Sequence, residues 1–221
     1  MIKKNNSRIF ILLGAIGYLI CLMADFILDI LPGGRLTGDA LKNFDLLVQV
    51  TEGVSPARFV ISGILGVISM IFIALGMIGI FAFLNEKKTK ASYIVLVSGV
   101  GSAVLGAVYH IICTSSAWLF VYLKQTSDAF QLYQDFISSN SFLMTQNGIL
   151  YTVMAATLFI MIILKKTELP RWACLFNVVL LYFVLSIFNI PGSTSIGGLV
   201  MCMALFILIN WKSKYESAEK K

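Results

Sequence analysis

Three residues could carry chemistry inside the long apolar runs of this chain: Asp25, Asp29 and His110. Ionisable side chains are expensive to hold in such surroundings, so they are candidates for function before packing. Residues three or four apart share a helix face. Gly14, Gly17, Cys21, Asp25 and Asp29 thus form one stripe, and Ser98, Ser102, Gly106, His110 and Thr114 another. Small residues let membrane helices approach closely, so both stripes should point into a bundle rather than at lipid. At 1.5 Å per residue, Asp25 and Asp29 stand ~24 and ~30 Å along their run and His110 ~28 Å along its own. Arg35, Arg58, Asn147 and Asn189 fall near the same level. The expectation is a polar pocket at one end of the bundle, built from Asp25, Asp29 and His110, with Arg35 or Arg58 as counter-charge and Thr114, Asn147 and Asn189 as further ligand-binding groups.

Three chemistries fit these residue types. Two carboxylates and an imidazole suit zinc, but the chain has one histidine and no further ligand is evident, so no metal is assigned. His110 could act as a general base oriented by Asp25 or Asp29, on water or on Thr114, Ser115, Ser116 or Ser193, which would make these the catalytic residues of a membrane-embedded hydrolase. Alternatively, the charges hold the headgroup of a lipid or amphipathic ligand, or pair with one another to hold the bundle. Each residue also has a plain structural role open to it. Asp29 precedes Pro32-Gly33-Gly34 and can mark a helix end, while Arg58 can cap the outer end of its own helix, 57–84, and snorkel to headgroups. No HExxH, H-x-x-x-H, G-x-S-x-G, Walker or Rossmann motif is present, so no cofactor is expected. Only Asn189–Gly198 is irregular enough to suggest a carbonyl-lined filter.

The elements that must position these groups are legible in the composition. The chain has 221 residues, 58% hydrophobic and 13% charged. Soluble domains carry about 25% charged residues, so most of this chain does not face water. Apolar stretches at 9–31, 57–84, 91–123, 141–164, 172–188 and 196–211 predict an all-α integral membrane fold: one six-transmembrane-helix bundle over residues 1–221. Lys and Arg fall unevenly about them. The N-terminus, the 85–90 and 165–171 loops and the C-terminal tail hold 13; the other side holds four, Arg35, Lys42, Arg58 and Lys124. The positive-inside rule then places both termini in the cytoplasm. The net charge of +6 reflects this orientation, not nucleic-acid binding. In the outer loops, residues 39–50, with Asp39 as N-cap, and 128–144, with Asp128 and Gln131 at capping-box spacing, predict two short amphipathic helices. Cys21, Cys113, Cys174 and Cys202 are scattered singly, without CxxC spacing, and read as small core residues.

Three short motifs add a family resemblance: Leu31-Pro32-Gly33-Gly34-Arg35, Leu169-Pro170-Arg171-Trp172 with Phe176-Asn177, and Gly197-Gly198. With the helix spacing they resemble an uncharacterised family of bacterial multi-pass membrane proteins, a domain of unknown function. That resemblance covers most of the chain, implies the bacterial cytoplasmic membrane, and brings no activity or cofactor. The leading functional expectation is a protein that binds, moves or senses a lipid or amphipathic small molecule in an outward-facing polar pocket. The hydrolase is the second, and a structural or interaction subunit without ligand the third. Membrane lipids are the expected partners, and a homo-oligomer is compatible with the sequence.

Overall fold

The computed structural model describes residues 4–84, 89–188 and 190–218. Among the described residues, five helices are long and apolar enough to cross a membrane. They include α1 (Lys4–Asp29), α3 (Ala57–Leu84), α4 (Lys90–Tyr122), α6 (Ser141–Ile163) and α8 (Ser193–Ala218). Between them lie α2 (Phe44–Thr51), α5 (Ser127–Ser139) and α7 (Val178–Ile187). Large apolar side chains stay exposed along the long helices, among them Met23, Ile64, Ile71, Val97, Val104, Ile149 and Ile160. A water-facing surface would not carry such a belt.

Helix α1 is the spine, packed against α3 and α8. In lipid the driving force between helices is close backbone contact rather than apolar burial. A Cβ on Gly14 would lie 2.7 Å from the Gly76 Cα, and one on Gly79 would lie 2.8 Å from the Ser7 carbonyl oxygen. These glycines bring the α1 and α3 backbones together. The interior is then filled by Ile11, Met77, Ile80, Met154, Leu158, Met161 and Met201, all nearly inaccessible.

A second apolar cluster sits at the end of the bundle where α1 stops. Leu31, Ala40, Leu47, Val50, Phe59, Phe120, Ala129 and Tyr133 form it. Here α2 and α5 are pinned together across the bundle end. Phe44 meets Phe130 edge-on at 5.6 Å, Gln134 donates to the Leu41 carbonyl, and Gln125 donates to the Thr51 hydroxyl at 2.8 Å.

Several local expectations need correcting. Asp39 makes no capping bond; a 3-10 turn, Ala40–Lys42, follows it, and Asn43 caps α2 by accepting from the Leu46 N–H at 3.1 Å. Thr126 rather than Asp128 caps α5, accepting from the Ala129 N–H at 3.2 Å, and Gln131 donates forward to Asp135 at 2.9 Å instead of reaching back. The helix expected over 172–188 is broken. Residues Arg171–Phe176 form a 3-10 stretch, and α7 is only ten residues long. The break lies at Asn177, whose extended backbone lets its side chain accept from the Val179 N–H at 3.1 Å and donate to the Ala155 carbonyl of α6 at 2.8 Å. An apolar run hides such a break, because hydropathy carries no record of a capping side chain.

Candidate functional site

The sequence after Asp29 turns the chain back on itself. Ile30–Leu31 and Gly34–Arg35 pair antiparallel across Pro32-Gly33, with Ile30 opposite Arg35. Gly34 takes a φ of +140°, and a Cβ on Gly33 would fall 2.1 Å from the Gln49 carbonyl oxygen of α2. Both positions therefore need glycine. The hairpin carries Arg35 back beside the end of α1 and leads into Thr37, Gly38 and Asp39.

The start of α8 arrives from the other side. Gly192 has a φ of +67°, and a Cβ there would lie 2.5 Å from Leu22. This turn lays Ser193, Thr194 and Ser195 against α1. Ser195 donates to the Asp25 carboxylate at 2.7 Å, and the Cys21 thiol lies 4.0 Å from the same oxygen.

Between these two segments and α7 lies a cavity of about 830 Å³. Its charged lining consists of Asp25, Asp29, Asp39 and Arg35. Hydroxyls of Thr37, Ser193, Thr194, Ser186 and Tyr182 complete much of the rest, the last two from α7. Three carboxyl groups and one guanidinium line the same space, a set that can meet both a cationic and an anionic group on one ligand.

The cavity is closed below Asp25, toward the N-terminal end of α1. The ring of Tyr18 lies flat enough on Gly198 that a Cβ there would come within 2.2 Å of it. Its hydroxyl stands 3.3 Å from that of Tyr151 on α6. Cys21 and Cys202 are buried beside it, and the apolar interior follows.

Of the residues singled out in the sequence, Asp25, Asp29 and Arg35 meet in this cavity. His110 does not line it. The imidazole is 8% exposed and wedged between α4 and α3, with Nε2 3.2 Å from the Ser62 carbonyl oxygen and 3.4 Å from the Ser62 hydroxyl. That hydroxyl donates to the Ala24 carbonyl at 2.8 Å, so Ser62 links the histidine to α1, and the imidazole also lies within electrostatic range of Asp25. Arg58 caps α1 rather than the end of its own helix, α3. Its Nε donates to the Ile27 carbonyl at 2.7 Å and a terminal nitrogen donates to that of Ile30, which satisfies the open carbonyls at the end of α1. Thr114 donates to the His110 carbonyl at 2.9 Å within its own helix. Asn147 accepts from Ser102 at 2.6 Å and ties α6 to α4. Asn189 lies outside the described residues. Among the described residues no group of three or more His, Cys, Asp or Glu could hold a metal ion.

Sequence reasoning missed Thr37, Asp39, Tyr182, Ser186, Thr194 and Ser195 as parts of one place. The available signal was the irregular run at 190–195, whose glycine and hydroxyl residues serve as a pocket wall rather than as a filter.

A bundle with five helices able to cross a membrane, carrying a polar, acid-rich cavity at one end, defines the class to which this molecule belongs. Within that class the chain belongs to a family of unknown function, DUF6796, whose model matches residues 1–212. No curated protein and no solved structure matches it.

Proposed function

We propose that the protein binds an amphipathic small molecule or lipid whose polar head carries an ammonium group, in a pocket that faces out of the cell. The observation that carries this reading is the joint lining of one cavity by Asp25, Asp29 and Asp39 with Arg35. A zwitterionic head fits that set: the ammonium takes the carboxylates, a phosphate or carboxylate takes the guanidinium, and the hydroxyl side chains fix the remainder. About 830 Å³ is ample for such a group, since ligand sites run from about 300 to 1,000 Å³.

The orientation rests on charge. The cationic clusters at 85–90, 165–171 and the two termini belong at the cytoplasmic face, which leaves the cavity and the α2–α5 layer outside. A sixth, composite crossing is proposed from the 3-10 stretch and α7: laid end to end, six residues at ~2.0 Å and ten at ~1.5 Å would reach ~27 Å, close to the bilayer core. On this reading the chain is a six-pass protein of a bacterial cytoplasmic membrane. The alternative hydrolase, with His110 as base and Asp25 or Asp29 orienting it, is the less favoured reading because the imidazole does not line the cavity that holds the two carboxyl groups.

The test is purification in mild detergent, mass spectrometry of released amphiphiles, and thermal unfolding with added ligand. A zwitterionic amine amphiphile should co-purify and raise the melting temperature, as any ligand selective for the folded state does. Asp25→Asn and Asp29→Asn should each weaken binding about tenfold, equivalent to ~1.4 kcal/mol. Absence of any co-purified amphiphile, together with no stabilisation by cationic, zwitterionic or anionic ones, would overturn the proposal.

A further inference from the structure

The cavity wall formed by α7 is one short helix thick, and its two sides differ in chemistry. Tyr182 and Ser186 face the cavity. The rest of the surface is greasy and unpacked: Phe183 is 62% exposed, Ile187 77% and Phe188, just beyond the helix, 70%, with Val184 between them. Along the whole helix only Val178, at its start, is buried. It packs mainly on α8 and touches α6 briefly, and the cavity separates it from the end of α1. On α1 and just past its end, Phe26 and Ile30 are exposed apolar residues that follow directly on Asp25 and Asp29 in the chain. Polar residues of the cavity and exposed apolar residues thus lie next to one another on both α1 and α7, the pairing that a lipid headgroup with its acyl chains requires.

We infer that the ligand is a bilayer lipid with a phosphoethanolamine-type head, which enters sideways between α7 and α1 and keeps its chains in the membrane along Phe183, Ile187 and Phe26. This inference rests on the pocket reading above and adds the source of the ligand and its route.

The shared chemistry, an ammonium beside a phosphate, could also come from water as the free headgroup, so the experiment has two arms. In the first, the protein is placed in nanodiscs containing phosphatidylethanolamine with a photoactivatable group in its acyl chain, and adducts are mapped by mass spectrometry. Adducts should concentrate on residues 183–188 and on α1 around Phe26 and Ile30. They should fall about tenfold in Asp25→Asn/Asp29→Asn, and be competed by unlabelled phosphatidylethanolamine but not by phosphatidylglycerol. The competition keeps the test valid if that variant does not fold. Adducts spread evenly over all lipid-exposed helices, or competed equally by both lipids, would overturn the inference. In the second arm, soluble glycerophosphoethanolamine is added to the same protein. It should compete poorly; competition equal to that of the lipid would show an aqueous ligand and overturn the sideways route while leaving the pocket intact. Failure of both molecules to bind would overturn this inference, and the pocket reading falls with it only if cationic, other zwitterionic and anionic amphiphiles fail as well.

Discussion

Gly66 and His110 occupy each other's space. A Cβ on Gly66 would fall 2.0 Å from the imidazole Cδ2, so the ring rests directly on the α3 backbone. The ring cannot retreat cheaply, since it is buried and its Nε2 lies within hydrogen-bond reach of Ser62. Gly66→Ala should therefore destabilise the protein by ~1–3 kcal/mol, the usual cost of overpacking, read as a lower melting temperature in detergent. Adding His110→Ala in the same chain should return part of that loss, because the clash is with the ring; a purely additive double variant would show that the two sites do not touch. A small-residue stripe says that a helix packs closely, but not on which partner. His110 packs on α3 and does not line the cavity, although it lies within electrostatic range of Asp25, whose carboxylate accepts from Ser195 of α8.

At the scale of the elements, hydropathy reported the long helices well, because twenty apolar residues in a row have few other fates. It did not report where a helix pauses. Asn177 stops one helix and starts another by offering its side chain to the Val179 N–H and to the Ala155 carbonyl. Asn177→Ala removes both bonds. It should cost ~0.5–2 kcal/mol through the lost cap and speed amide exchange over residues 178–187, with α6 little changed. Unchanged exchange in α7 would mean that the break is held by the surrounding packing instead. The hairpin at 30–35 was equally hard to read, since Pro32-Gly33-Gly34 promises a turn without saying what lies above it. The identity of its neighbour, Gln49, depends on how α2 folds back over residues far along the chain. For the same reason the candidate site was half legible. Asp25, Asp29 and Arg35 come from one continuous stretch, while Tyr182, Ser186 and Ser195 join them only through the tertiary fold.

For the whole molecule, the uneven distribution of lysine and arginine makes a prediction that single-cysteine labelling can check. Asp128→Cys at the start of α5 should react with a membrane-impermeant maleimide in intact cells. Thr167→Cys, in the 165–171 loop, should react only after permeabilisation. The reverse pattern would turn the cavity toward the cytoplasm. The closure beneath Asp25 has a further consequence. Tyr18 set against Gly198, followed by Ile11, Met77 and Ile80, leaves the cavity with a solid floor. In this conformation a ligand of the proposed kind enters and leaves above that floor, and its occupancy then follows its chemical potential in the adjoining leaflet.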